Sequence, residues 1–244
     1  MSWDADFVNR AIPGRSVAYF DVLSSTMSEA ARQPRGMFVV AGAQTAGVGR
    51  HGHTWHSAES LGLYFSVALP VSPLLTLALG IASAEAIQNV THIACDLRWP
   101  NDLLLHERKL AGILVQSANS YAVAGIGINI GQRSFPPEIR NIATSLALET
   151  GLDFRREDIF VQLVKAMDRW LPATPDAIRA EFARRSSYVH GKRVSVPLND
   201  REITGVTAGL TPEGYLEVLS DAGRREVIVA GGVRPEVGRG AHLQ

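Results

Sequence analysis

Runs of apolar residues, and the spacing between them, divide the chain into a long first part and a short second part. Val17–Leu23 is an apolar run of strand length. The polar stretch Ser24, Ser25, Thr26, Met27, Ser28 follows it and can open a helix through Glu29, Ala30 and Ala31. Met37–Ala41 predicts a second short strand. Leu63–Leu69 predicts a third, because Tyr64, Phe65 and Val67 favour extended backbone and Pro70 ends it. Ser72 and Pro73 read as the N-cap and first residue of a helix over about 73–88. That helix is apolar nearly all round, which predicts burial. Ile93–Arg98, Ala111–Ser117 and Tyr121–Ile130 are again strand-like. Residues 156–171 place Phe160, Leu163, Val164, Met167 and Leu171 at helical spacing, and Thr174–Pro175 opens a further short helix. Strands alternating with helices predict an α/β or α+β domain around a mixed or mostly antiparallel sheet.

From about residue 189 the pattern changes. Val194, Val196 and Leu198 alternate, then come Ile203–Leu210, Tyr215–Leu219 and Glu226–Val229. Turn residues separate them at Asn199–Asp200, Pro212–Glu213–Gly214 and Asp221–Ala222–Gly223. Four short strands in so little chain predict a small β-barrel-like module, too small to stand without packing on the first domain. The expected division is 1–187, 188–235 and a polar tail over 236–244.

Composition narrows the class. The 244 residues are 46% hydrophobic, enough to bury a core without disulfides. Lys and Arg number 24 and Asp and Glu number 24, so no net charge draws the chain to nucleic acid or anionic membrane. Cys95 is alone, which excludes an intramolecular disulfide and a thiolate cluster; a buried small hydrophobe is its simplest reading. The N-terminus is acidic and lacks an apolar run, so it does not read as a targeting segment. Leu74–Ala84 is too short to cross a bilayer. These features predict a cytoplasmic protein.

The 22 glycines are more than such a chain needs, and their positions carry the chemistry. Gly47, Gly49 and Gly52 match G-x-G-x-x-G, with Arg50, His51, His53 and Trp55 among them. A dinucleotide fingerprint would continue into a helix and place an acidic residue about 20 positions on. Here a polar stretch and a strand follow, and Glu59 is too near. His51, His53 and His56 lack the carboxylates of a metal site. The reading favoured is a loop that carries Arg50 over a phosphate or carboxylate.

Two further segments share the device. Arg98-Trp99-Pro100-Asn101-Asp102 leaves the end of a strand, and Lys109-Leu110-Ala111-Gly112-Ile113-Leu114 opens another. Gly125-Ile126-Gly127-Ile128-Asn129 again removes side chains mid-strand, which invites a ligand against backbone. One arginine, one lysine and one aspartate among these glycines predict an anionic ligand. The lysine can neutralise an acyl carboxylate and an ATP α-phosphate, and the aspartate can help hold magnesium or orient an attacking amine. There is no P-loop pattern.

Together these segments resemble the biotin–protein ligases, biotin–[acetyl-CoA-carboxylase] ligase, in a short form without an N-terminal DNA-binding domain. The likeness runs from about residue 17 to 235. It implies a class II synthetase-like α+β catalytic domain with a mixed sheet, followed by an SH3-like β-barrel. It implies that biotin and ATP, with Mg2+, give biotinyl-5′-AMP, and that a lysine of a biotin carboxyl carrier domain then takes the biotinyl group. By position, Ser25, Thr26, Gln44, Gly47, Gly49, Arg50, Lys109, Gly112 and Ile113 match biotin contacts. Arg50, His51, Trp55, Asn101, Lys109 and Asn129 match adenylate contacts, and Lys109, Arg50 and Asp102 match the catalytic set. No protein ligands for the metal follow from the likeness. Nucleic acid and membrane are not expected partners, and a homodimer is compatible with it.

Three loop positions where the family commonly has arginine carry Val48, His51 and His53, Arg98 stands where lysine is common, and Met27 stands where asparagine is common. The alternatives left open are a lipoate–protein ligase of the same fold and a non-enzymatic small-ligand-binding module.

Overall fold

The computed structural model describes residues 3–118, 120–198 and 201–235. The turn expected at Asn199–Asp200 and the tail expected over 236–244 lie outside the described residues.

The first part folds around a seven-stranded sheet. Its strands are β1 (Val17–Leu23), β2 (Phe38–Gln44), β3 (Gly62–Leu69), β4 (Asp96–Arg98), β5 (Asp102–Leu105), β6 (Arg108–Ala118) and β7 (Tyr121–Asn129). They lie in the order β1-β2-β3-β7-β6-β5-β4. Only β1 and β2 pair in parallel, with α2 (Thr26–Ala30) in their connection; the other neighbours are antiparallel. The expected mixed sheet is therefore present.

Alternation of side chains sends one set of residues to each face. One face carries Phe38, Phe65 and Ile113 and is covered by α3 (Leu75–Thr91), α5 (Arg156–Trp170) and α6 (Pro175–Arg184). Phe160 of α5 meets both Phe38 and Phe65 edge-on, with centroids 5.6 and 5.3 Å apart. Helix α3 is buried along most of its length, as its all-round apolar sequence predicts. Each fully buried Leu or Ile there contributes about 1.5–3 kcal/mol. The helix starts at Leu75 rather than at Pro73: the Leu75 amide donates to the Ser72 carbonyl (3.2 Å) and closes a turn ahead of it. Cys95 is buried, and burial pushes its thiol up to about 12, so it behaves as a small hydrophobe.

Two short helices, α1 (Ala5–Ala11) and α4 (Leu146–Thr150), were not expected. Each buries too few apolar residues to leave a periodic signal: Val8 in the first, Leu146 and Ala147 in the second.

The second part is a five-stranded antiparallel sheet of β8 (His190–Pro197), β9 (Glu202–Leu210), β10 (Leu216–Ser220), β11 (Arg225–Ile228) and β12 (Arg234–Pro235), in the order β11-β10-β9-β8-β12. It is not the expected barrel. Strands β11 and β12 are the two edges and do not pair with each other. Among the described residues β12 pairs with β8 alone, so the two edges stay apart. The sheet closes its core against the first part instead. Trp99 Nε1 donates to the Gly214 carbonyl (2.9 Å) in the turn between β9 and β10, and Gly214 packs against Leu74 and Leu77. Among the described residues, no helix is long and apolar enough to cross a membrane.

Candidate functional site

A cavity of about 1090 Å3 opens on the sheet face opposite the three helices. Its floor follows from the pleat. Gly125, Gly127 and Asn129 are two apart on β7, so they share one face, and Gly112 of β6 pairs with Gly127. Three glycines on that face leave bare backbone where side chains would stand. The indole of Trp55 lies on this floor. A Cβ built at Gly127 would sit 2.6 Å from Trp55 Nε1, and one at Gly112 would sit 3.0 Å from Trp55 Cζ3. The Nε1 itself is buried without a hydrogen-bond partner.

One end of the cavity is polar and uncharged. Ser25 and Thr26 start α2, and Gln44 ends β2. Gln44 Oε1 accepts from the Thr26 amide (2.8 Å) and hydroxyl (3.1 Å), and its Nε2 donates to Ser57 Oγ (2.9 Å). Thr26 Oγ1 also meets Ser66 Oγ at 2.8 Å. The Ser25 hydroxyl is buried with no partner, a polar atom ready for a ligand group.

The other end is cationic. Lys109 Nζ lies 2.6 Å from Asp102 Oδ1, and an Arg98 Nη donates to Asp102 Oδ2 at 2.7 Å. Burial alone would raise the Asp102 pKa, but Lys109 and then Arg98 outweigh it and hold the carboxyl below its usual value. The Lys109 ammonium is also 5.6 Å from the Trp55 ring centroid. Arg50 Nη1 donates to Asn101 Oδ1 (3.0 Å) and to the Gly231 carbonyl (3.1 Å), so it ties the glycine loop to both the W-P-N-D turn and the small sheet. Burial lowers the Arg50 pKa and Asp102 opposes this. Arg50 stays charged.

The W-P-N-D segment is a hairpin turn rather than a strand end. Arg98 pairs with Asp102 across β4 and β5, with the cis Trp99–Pro100 peptide in the turn between them. The short β5 leaves little sequence signal because it begins in the turn residues Asn101–Asp102. Asn101 locks this turn to β6: its carbonyl accepts from the Ile113 amide (2.9 Å) and its Nδ2 donates to the Ile113 carbonyl (2.9 Å).

Most of the expected residues converge on this one cavity: Ser25, Thr26, Gln44, Gly49, Arg50, His51, Trp55, Asn101, Asp102, Lys109, Gly112, Ile113 and Asn129 all line it. Two differ in detail. Gly47 does not line it. The glycine loop is a small hairpin in which the Trp55 amide donates to the Gly47 carbonyl (2.9 Å), and a Cβ at Gly47 would lie 2.7 Å from the Trp55 carbonyl oxygen. Gly47 thus lets the hairpin close, and only Gly52 of the three uses a left-handed φ (77°). Ile113 presents backbone to the cavity, because alternation sends its side chain toward Gly80 of α3. Asn129 Nδ2 donates to the Thr144 carbonyl (3.0 Å).

Met27, Phe135, Ile139, Ile142, Gly231 and Arg234 also line the cavity and were not expected. Phe135 to Ile142 lie in a segment without apolar periodicity, and Gly231 and Arg234 reach the cavity only because the small sheet docks there. No group of three or more His, Cys, Asp or Glu among the described residues could hold a metal ion.

The floor gives a direct prediction. Gly127→Ala forces the Trp55 indole off its seat, because the contact is with a ring and not with a flexible chain end. The expected result is at least about a tenfold loss of small-ligand affinity, with about 1–3 kcal/mol of destabilisation. Calorimetric titration and urea unfolding measure the two effects, and unchanged affinity would remove the floor from the binding site.

Comparison with known proteins places this geometry. The biotin/lipoate A/B protein ligase family matches residues 19–132, and the biotin protein ligase C-terminal domain matches residues 189–233. Bifunctional ligase/repressor BirA of Bacillus subtilis is 34% identical over 176 residues, covering 65% of this chain. The chain spans 54% of that relative's length. The biotin–[acetyl-CoA-carboxylase] ligase of Mycobacterium tuberculosis is 32% identical over 81% of this chain and 77% of its own. The Aquifex aeolicus biotin protein ligase, solved in complex with biotin and ATP, superposes with a TM-score of 0.81 at 30% identity, covering 90% of this chain and 98% of that one. With two family matches in chain order, and relatives at this identity and coverage, the chain belongs to the biotin protein ligase family.

Proposed function

We propose that the protein activates biotin with ATP to biotinyl-5′-AMP and transfers the biotinyl group to a lysine of a biotin carboxyl carrier domain. The observation that carries this is the pairing, in one cavity, of a glycine floor on which the Trp55 indole lies with a Lys109, Arg98 and Arg50 cluster at its end. A flat, mostly apolar fused ring suits the apolar surface made by the glycine strands and the Trp55 indole, and its ureido head suits the Ser25, Thr26 and Gln44 end. Anionic groups suit the cationic end.

In the first step a biotin carboxylate oxygen attacks the α-phosphorus of ATP and pyrophosphate leaves. The Lys109 ammonium would lie against the carboxylate and α-phosphate and stabilise the charge that builds there. Arg50, held by Asn101 and Gly231, would close the glycine loop over the product and keep water from the anhydride. In the second step the neutral carrier amine attacks the anhydride carbonyl, the bond to AMP breaks and AMP leaves, and the proton from the nitrogen passes to water; Asp102 is the nearby carboxylate that would orient the amine. His51, Trp55 and Asn129 would contact the adenylate. Magnesium would travel with the nucleotide phosphates of ATP. We assign the catalytic unit to 1–187, the small sheet module to 188–235, and the protein to the cytoplasm, where a single buried thiol stays reduced.

The test is incubation with biotin, MgATP and a carrier domain, followed by intact mass of the carrier. A gain of one biotinyl group is expected, and pyrophosphate exchange should depend on biotin and not on lipoate. No mass gain with a carrier that other ligases accept would overturn the proposal. Lipoate dependence would assign the chain to the other branch of the fold.

A further inference from the structure

The Asp102 carboxylate sits between two cations, and only one of them is needed to neutralise it. Its side chain is 14% exposed, with Oδ1 on Lys109 and Oδ2 on Arg98. Arg98 lies directly opposite Asp102 across the β4–β5 hairpin, so its reach to Oδ2 is set by the sheet and not by a long flexible excursion. The backbone of Asp102 is already fixed: it pairs with Gly112, and Asn101 beside it makes two hydrogen bonds to Ile113. What remains free is the rotation of the carboxyl group, and Arg98 removes that freedom. Two cations and one anion leave one positive charge at the end of the cavity. Without Arg98, Asp102 and Lys109 form a neutral pair, and the lysine is held by the aspartate alone.

We infer that Arg98 is a positioning residue: by binding Oδ2 of Asp102 it orients that carboxylate and leaves the Lys109 charge available to an anionic ligand. This rests on the proposed ligase reading, in which Lys109 faces the reacting carboxylate and α-phosphate. Arg98 itself acts through Asp102 and Lys109.

Biotin-dependent ATP–pyrophosphate exchange and carrier labelling by intact mass test this on the full chain. Arg98→Met is expected to lower kcat of exchange about tenfold while KM for biotin moves less than about twofold, because the glycine floor is untouched. Arg98→Lys, which keeps a charge opposite Oδ2, is expected to recover all but about threefold of that loss. In an Asp102→Asn background, where Lys109 has lost its carboxylate partner, Arg98→Met is expected to cost less than about twofold more. If Arg98→Met does not fold, Arg98→Gln takes its place with the same expected loss. A full tenfold loss persisting in the Asp102→Asn background, or a loss that lysine does not rescue, would overturn the inference in favour of a packing role. A wild-type kcat retained by Arg98→Met would overturn it outright. A wild type inactive in both assays would instead overturn the ligase reading, and the inference with it.

Discussion

Replacing Lys109 with methionine is expected to lower biotin-dependent ATP–pyrophosphate exchange by about a thousandfold, the scale seen when a group aimed at developing charge is removed. Methionine keeps the length of the side chain and its contact with the floor, where Lys109 Cε would lie 3.0 Å from a Cβ at Gly112. The ammonium alone is lost. Asp102 keeps Arg98 as a partner, so no carboxylate is left buried and unpaired. The fold should therefore survive, with a Tm close to wild type. Lys109→Arg tests the geometry: the wider guanidinium must share a narrow space with Trp55, and most of the loss is expected to remain. Exchange within tenfold of wild type in Lys109→Met would mean that this ammonium does not face the reacting groups.

The largest effect on stability is expected at Trp99. Its side chain is buried in the β4–β5 turn, and its Nε1 holds the Gly214 carbonyl of the small sheet. Trp99→Ala removes both the packing and the link, at a cost of about 3–5 kcal/mol. Trp99→Phe keeps most of the packing but leaves a buried carbonyl without its donor, at a cost of about 1–3 kcal/mol. Urea unfolding separates the two. The same variants report on the site, because the turn that Trp99 anchors carries Asn101 and Asp102. Alanine within about 1 kcal/mol of wild type would show that the two parts are held together by other contacts.

Much of the scaffold could be read along the chain. Strand β1 has the bounds that its apolar run predicts, β3, β7 and α5 differ by one residue, and α6 begins where Thr174–Pro175 predicts. These elements bury a face or a whole surface, so their patterns are strong. Strand β5, helix α4 and strand β12 are short or begin in turn residues, and pattern alone does not reveal them. The barrel expected in the second part fails for a related reason. Counting strands predicts a small β module, but closure depends on whether the two edge strands meet, and among the described residues β11 and β12 do not.

The site divides in the same way. Gly112, Gly125 and Gly127 were legible as places where strands give up side chains, and the sheet register makes them one floor. Gly47 reads as a ligand contact in a glycine pattern, yet the hairpin uses it against the Trp55 backbone. Ile113 lies in the right segment, but the pleat turns its side chain into the core. By itself the sequence determined which residue types were present, the spacing that makes each strand two-faced, and the order of the motifs. Those are local properties, set by backbone sterics and by the period of two. Only the tertiary structure decided that Lys109 and Arg98 share one carboxylate and that Arg50 reaches Gly231, 181 residues away. Such contacts depend on sheet register and on the docking of the second sheet, which arise from burial summed over the whole chain.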